Sequence, residues 1–240
     1  MKKIVLLLAA LVMVSSNGFS QEMKHEMKAN YGKKMPTRFQ AVSPDKAVIL
    51  QEGENKMYCP KCGMALPMFY KTNHAAHVDG KSEQFCSIHC LAEAMADGGK
   101  VTAIKVVDNT TLEFIDVIKS WYVVGSSKPG TMSMTSKYAF GKKDDAEKFA
   151  KEFGGKVMTF YAVLDSVKST LAQESAMVQK KQAMMAQKGE MMYNEMCTPF
   201  DANFTSTADA KTYLTTQKPC GEIKGNHLQA IGLYLNSRNK

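Results

Sequence analysis

Four cysteines in two tight pairs, Cys59-Pro60-Lys61-Cys62 and Cys86-Ser87-Ile88-His89-Cys90, constrain this chain more than any other feature. Two thiols separated by two residues fit one tight knuckle whose backbone amides aim both sulfurs at a single centre. Two thiols four apart at the start of a helix share a face and meet the positive end of the helix. Knuckle, hairpin, then a helix-borne pair is the arrangement of a treble clef, and a tetrahedral thiolate centre needs such a set. The fold must therefore bring residues 59–62 and 86–90 together.

The neighbours of the thiols bear on which metal would suit them. Zn(II) rarely takes a thioether, whereas Cu(I) prefers soft thiolate and thioether ligands, often with an imidazole. Cys62-Gly63-Met64 puts a thioether within one turn of a thiolate, with Gly63 free to bend the backbone. Met132 and Met134, in "GTMSM", are expected in a loop just before a second helix, at the position matching the cysteines of the first half. His89 is either a further ligand or an ordinary helix-surface residue. The candidate ligands are thus Cys59, Cys62, Met64, Cys86, His89, Cys90, Met132 and Met134, for Cu(I), with Zn(II) as the alternative. His74 and His77 lie on a strand whose alternation sends them to opposite faces, and each is expected to face solvent.

Two other chemistries compete for the cysteines. An oxidising compartment favours disulfides, and six cysteines could make three. A thiol oxidoreductase wants its Cys-x-x-Cys at a helix start in a βαβ context; here Cys62 runs into Gly63-Met64 and a hairpin. With no Ser-His-Asp set and no phosphate loop, the chain does not read as an enzyme.

The N-terminus indicates the compartment. Met1-Lys2-Lys3 is followed by eleven apolar residues, Ile4 to Val14, and then by small polar ones. A spanning helix needs roughly 20 apolar residues, so residues 1–20 read as a cleavable export signal, with an uncleaved anchor as the rival. No cysteine follows the apolar run for lipid attachment, and a periplasmic location is expected. The formal charge of +8 falls to +6 without Lys2 and Lys3. The lysines are scattered, which argues against nucleic acid and leaves peripheral attraction to an anionic membrane or an acidic partner. Nothing in the sequence indicates an oligomeric state.

Organisation follows from composition and period. Residues 21–56 are lysine-rich, are broken by Pro36 and Pro44, and read as a basic extended arm. "MKHEM" (Met23 to Met27) within it is a weak soft-metal candidate. Residues 57–160 read as an α+β domain of two β-β-α units. "FCSIHCLAEAMADGGKV" and "FGKKDDAEKFAKEFGGKV" each give a strand end, a short helix and a Gly-Gly-Lys-Val start to the next strand. In the first unit "MFYKTNHAAHV" leads to a hairpin turn at Asp79-Gly80; in the second "EFIDVIKSWYVVGS" alternates like one strand. Residues 161–196 continue a long helix whose Met177, Met184 and Met191 recur every seven residues, with Met185 and Met192 beside them, as a packing face. Residues 197–240 form a small helical tail.

Together "CPKCGM", "FCSIHCL", "FIDVIKSWYVVGS", "GTMSM" and "YAFGKKDDAEKFAKEFGG" resemble the NosL family, the copper-binding accessory proteins of nitrous oxide reductase. The first unit also resembles the TRASH-type metal-trafficking knuckle. The resemblance covers residues 57 to 160. It implies two β-β-α halves and Cu(I) held by Cys and Met, for delivery to a periplasmic copper enzyme or its assembly factors. Met132 falls on the family's Gly-Pro-Met-Gly stretch, which here reads Gly-Thr-Met-Ser. The family's lipoprotein cysteine is missing, and Cys86 and Cys90 are more thiol than its pattern requires. The tail, through "GEMMYNEMC" and "LQAIGLYL", faintly resembles a small cytochrome c without the haem-attaching Cys-x-x-Cys-His. That resemblance implies a haem-free relic with Cys197 and Cys220 bridged. The alternative is a second soft-metal site from those cysteines with Met196 and His227. Tyr213, Leu228, Ile231 and Leu235 are the expected apolar face against the Met-rich helix.

Overall fold

The computed structural model describes residues 38–238. The expected export signal, the arm up to residue 37 and the "MKHEM" stretch lie outside the described residues. The architecture is α+β. The first half holds β1 (His74–Val78), β2 (Lys81–Phe85), α1 (Ile88–Ala96), β3 (Val101–Val107) and β4 (Phe114–Asp116). These strands form one antiparallel sheet in the order β2-β1-β3-β4. The second half holds β5 (Trp121–Val124), β6 (Lys137–Phe140), α2 (Lys143–Phe153) and β7 (Lys156–Thr159), in an antiparallel sheet ordered β6-β5-β7. Each half is thus hairpin, helix, then a strand that returns to the sheet.

Local chemistry explains the elements. Asp79 and Gly80 both take positive φ (49° and 83°), the turn whose twist suits a two-residue hairpin between β1 and β2. Ser87 caps α1 by accepting the Cys90 amide. In α2, Asp144 and Asp145 sit in the first turn, where carboxylates complement the positive helix end.

Three expectations about strands need correction. "MFYKT" does not extend the hairpin: Leu66–Thr72 is a 3-10 segment that starts with Pro67 in its first turn. The alternating run from Phe114 to Val124 is two strands in two sheets. Asp116 accepts the Ile118 amide and opens a 3-10 turn over Val117–Lys119, which carries the chain across. The loop holding Met132 and Met134 joins β5 to β6, so β6 lies between it and α2, and the loop matches the hairpin turn of the first half instead of its cysteines.

Residues 38–56, expected as part of a free arm, are docked. Gln40 is 1% exposed and its amide reaches the Pro129 and Gly130 carbonyls. The Leu50 amide donates to the Gln84 side chain, and Gln51 holds the Lys56 and Tyr58 carbonyls. Buried amides placed like this satisfy backbone that no sheet pairs.

A single helix, α3 (Phe160–Met196), spans 37 residues, about 55 Å of rise. Its first turns bury Phe160, Val163, Leu164 and Val167 against Ile88 and Ala92 of α1 and Tyr122 of β5. Its far end carries the tail, made of α4 (Thr207–Thr216) and α5 (Gly225–Ser237). Tyr193, Leu214, Leu228, Ile231 and Leu235 form a separate small core there, with Tyr213 and Met192 at its edge. Cys197 and Cys220 are disulfide-bonded, which rules out the soft-metal reading of the tail. Gly189 sets the approach of α3 to α5: a Cβ there would stand 2.0 Å from the Ala230 carbonyl oxygen.

The heptad methionines themselves do not form a packing face, whereas Met192 beside them packs at the edge of the tail core. Met177, Met184 and Met191 are 44%, 49% and 51% exposed. The buried residues of α3 are Phe160, Val163, Leu164, Val167, Gly189 and Tyr193, and no methionine is among them.

Candidate metal centre

Cys59, Cys62, Cys86 and Cys90 are all buried and unpaired, and their sulfurs lie within 4.8 Å of one another. Cys62 and Cys86 sulfurs are 3.4 Å apart, and those of Cys86 and Cys90 3.7 Å. A disulfide would need about 2.05 Å. Thiolates at about 2.3 Å from a tetrahedral ion stand about 3.8 Å apart, so the separations suit a shared metal. No acidic or imidazole group joins this cluster among the described residues.

Each sulfur is placed by a different device. The knuckle closes through the Cys59 amide donating to the Met64 carbonyl (2.9 Å) and the Gly63 amide donating to the Cys59 carbonyl (2.8 Å). Gly63 has φ +70°, a left-handed backbone that only glycine adopts cheaply. Cys86 follows the end of β2 and precedes the cap Ser87, so it is not on the helix. Cys90 is in the first turn of α1. Thr72 ties this strand end to the methionine loop: its hydroxyl bridges the Cys86 carbonyl (2.8 Å) and the Thr131 hydroxyl (2.9 Å).

The electrostatics are those of one shared negative charge. Burial pushes the Cys59 thiol up. Hydrogen bonds from Cys62, Cys86 and Cys90 outweigh it and hold Cys59 well below the ordinary cysteine range. Its partners pay in the other direction: the interaction with Cys59 drives Cys62 up, and Cys86 and Cys90 well up. A bound cation would stabilise the remaining thiolates, with release of their protons.

Met64 and Met132 pack against the buried cysteines in one apolar cluster. Met132 holds φ +60°, a costly backbone for a side chain of its kind. The loop that carries it is pinned by Thr131 and by the Tyr138 hydroxyl donating to the Pro129 carbonyl (2.6 Å). Met134 is 81% exposed and stands away from the sulfurs.

The histidines fall elsewhere. The His89 ring is buried, and its nitrogens face Glu93 (3.3 Å) and Glu174 (3.4 Å). The ring thereby ties α1 to α3. His74 is not solvent-facing, as alternation alone suggested; it is 1% exposed, with Nε2 2.9 Å from the Tyr122 hydroxyl. Burial pushes its pKa down to about 4. His77 is exposed.

Sequence reasoning missed the residues that the tail contributes. Lys211 of α4 is 2% exposed, donates to the Gly63 carbonyl (2.5 Å) and to Gln229 Oε1 (2.7 Å), and lies 4.2 Å from the Tyr58 ring centre. Gln229 of α5 donates to the Cys62 carbonyl (3.2 Å). Burial pushes the Lys211 ammonium down to about 7, against the opposing pull of the nearby cysteine cluster, from Cys62, Cys59 and Cys86. Asn55 and Asp209 add a further hydrogen bond between knuckle and tail. The tail therefore grips the backbone of Cys62-Gly63 through a buried cation and an amide. No local signal marks such residues; a lysine in "ADAKTYL" reads as solvated surface.

Residues 51–168 match the NosL family model. Among solved structures, the crystal structure of the copper chaperone NosL from Shewanella denitrificans is similar at 26% identity over 52% of this chain and 94% of that one, with a TM-score of 0.38. No curated protein matches the chain. The match ends at residue 168, before most of α3 and the whole tail. The matched residues carry the four converging thiols, both half-sheets and the methionine loop, and over this segment the chain is similar to the NosL family.

Proposed function

We propose that the protein is an exported Cu(I) metallochaperone that delivers copper to a periplasmic copper enzyme, with nitrous oxide reductase as the recipient the family implies. One observation carries the reading. Four free thiols converge in a buried cluster against which three methionines pack, Met64, Met95 and Met132, and of these Met64 is two residues from Cys62 and Met132 is on the pinned loop. A structural zinc site has no use for thioethers, whereas Cu(I) binds both kinds of sulfur. The mixed set also suits cargo: Cu(I) accepts low coordination, and neutral thioethers can enter or leave without a proton. The protein acts by binding the ion and handing it over. Its basic surface is consistent with docking on an acidic partner or an anionic membrane surface.

The test is Cu(I) affinity, measured anaerobically by competition with a chromophoric chelator, for the parent, Met64→Leu and Met132→Leu. Each variant should bind Cu(I) at least tenfold more weakly and Zn(II) almost unchanged. Equal Cu(I) affinity in all three proteins would remove the thioethers from the site. A second reading, a structural Zn(II) module, draws on the four-thiol set itself. It predicts Zn(II) retained through purification and no displacement by Cu(I).

A further inference from the structure

Five methionines meet at a cleft that the thiol centre does not use. A cavity of about 320 Å³ opens between the β5–β6 loop and α3, lined by Met64, Met132, Met134, Met177 and Met185, with Glu174 on the same wall. None of the four cysteines lines it. Met64 and Met132 also pack against the buried thiols, so they are the partition between the two compartments. Met134 and Met177 are exposed, at 81% and 44%, so packing does not explain why thioethers stand there. Met177 and Met185 lie beyond residue 168, on the part of α3 that the family match does not reach.

We propose that this cleft is a second Cu(I) site, built from thioethers alone and abutting the thiol centre; the proposal rests on Cu(I) being the cargo. Thioethers are soft, neutral ligands that suit Cu(I) and discriminate against Zn(II) and harder cations. Met177 and Met185 are eight residues apart, about 12 Å along α3, so they bracket the cleft instead of closing on one ion together. The loop methionines Met132 and Met134 complete the set from the facing wall. Glu174, whose carboxylate faces His89, is not a ligand but puts a negative charge on the wall near a monovalent cation, and Lys181 stands on the same wall. Movement of copper between the compartments is ligand exchange at constant oxidation state. Thioethers leave without a proton, and each thiol that becomes a ligand releases one to solvent. The thioether site is therefore the weaker of the two and the less sensitive to pH.

The experiment uses the full mature chain with ¹³C-labelled methionine methyls, handled anaerobically and titrated with Cu(I), and with Ag(I) as a redox-stable substitute. Thiol alkylation is followed in parallel. The first equivalent should protect the four thiols. The second should shift the methyl resonance of Met134 together with that of Met177 or Met185. The Met134→Leu/Met177→Leu/Met185→Leu variant should lose the second equivalent by at least tenfold in affinity and keep full thiol protection by the first. Leucine keeps the apolar volume at these positions, so folding should survive. Methyl resonances unmoved through two equivalents, with the thiols protected, would overturn the proposal. Shifted methyls with unprotected thiols would support the thioether site and refute the thiol-centred chaperone reading instead.

Discussion

Replacing Gly63 by alanine tests whether the tail sits on the metal knuckle. The position holds φ +70°, and a left-handed backbone costs a residue with a Cβ about 1–2 kcal/mol. The new methyl would lie 2.5 Å from Thr207 Cγ2 and 2.7 Å from Thr207 Cβ. Thr207 opens α4, so its Cβ cannot move without moving the helix, and overpacking of this kind costs about 1–3 kcal/mol more. Gly63→Ala should therefore destabilise the protein by about 2–5 kcal/mol. Thr207→Gly removes both clashing atoms but leaves the backbone strain. In that background Gly63→Ala should cost only about 1–2 kcal/mol. The assay is urea unfolding of the four proteins of the cycle, under anaerobic conditions without reductant, so that the tail disulfide stays closed. A coupling of about 1–3 kcal/mol between the sites is the expected result. If the two substitutions act additively to within about 0.5 kcal/mol, the tail does not rest on residue 63 and the grip described above is wrong.

Three further outcomes follow from the same geometry. His74 is held neutral by burial with a pKa near 4 against an ordinary 6.5, so its contribution is complete above pH 6.5 and is lost as pH falls towards 4. The difference in unfolding free energy between parent and His74→Gln should change by about 3 kcal/mol across that window, and a flat difference profile would contradict it. Lys211→Met leaves the Gly63 carbonyl and the Gln229 amide oxygen without their donor. It should cost about 1–3 kcal/mol in stability and weaken Cu(I) binding, and an unchanged midpoint and affinity would dismiss the role of the buried ammonium. Opening the Cys197–Cys220 bridge, whose partners are 23 residues apart, with a Cys197→Ser/Cys220→Ser variant should cost about 3 kcal/mol. Protease sensitivity should then appear first between residues 197 and 225, and a variant as resistant as the parent would count against the staple.

The parts of this molecule that were legible in the sequence are those fixed by local rules. Two Cys pairs at knuckle and helix-start spacing, an Asp-Gly turn and a 37-residue helical run each carry their own signal. What was illegible depended on partners far along the chain. Alternation from Phe114 to Val124 looks continuous because Val117 is buried too; only the side-chain bond from Asp116 shows the break. Strand period sends His74 and His77 to different faces but does not say that Tyr122 covers one of them. The heptad of methionines marks a face of α3, yet period alone does not tell a face that packs from one left exposed, as Met177, Met184 and Met191 are. Lys211 and Gln229 reach the Gly63 and Cys62 carbonyls across 148 and 167 positions, which no local rule foresees.

X-ray absorption at the copper edge, on protein loaded anaerobically with one equivalent of Cu(I) in the presence of excess Zn(II), addresses the central claim most directly. A Cu(I) ion at Cys59, Cys62, Cys86 and Cys90 with help from Met64 or Met132 should show sulfur-only coordination, with no imidazole scattering. Zinc should remain in solution. Copper left free while the four thiols hold Zn(II), or a first shell of nitrogen and oxygen, would contradict the account.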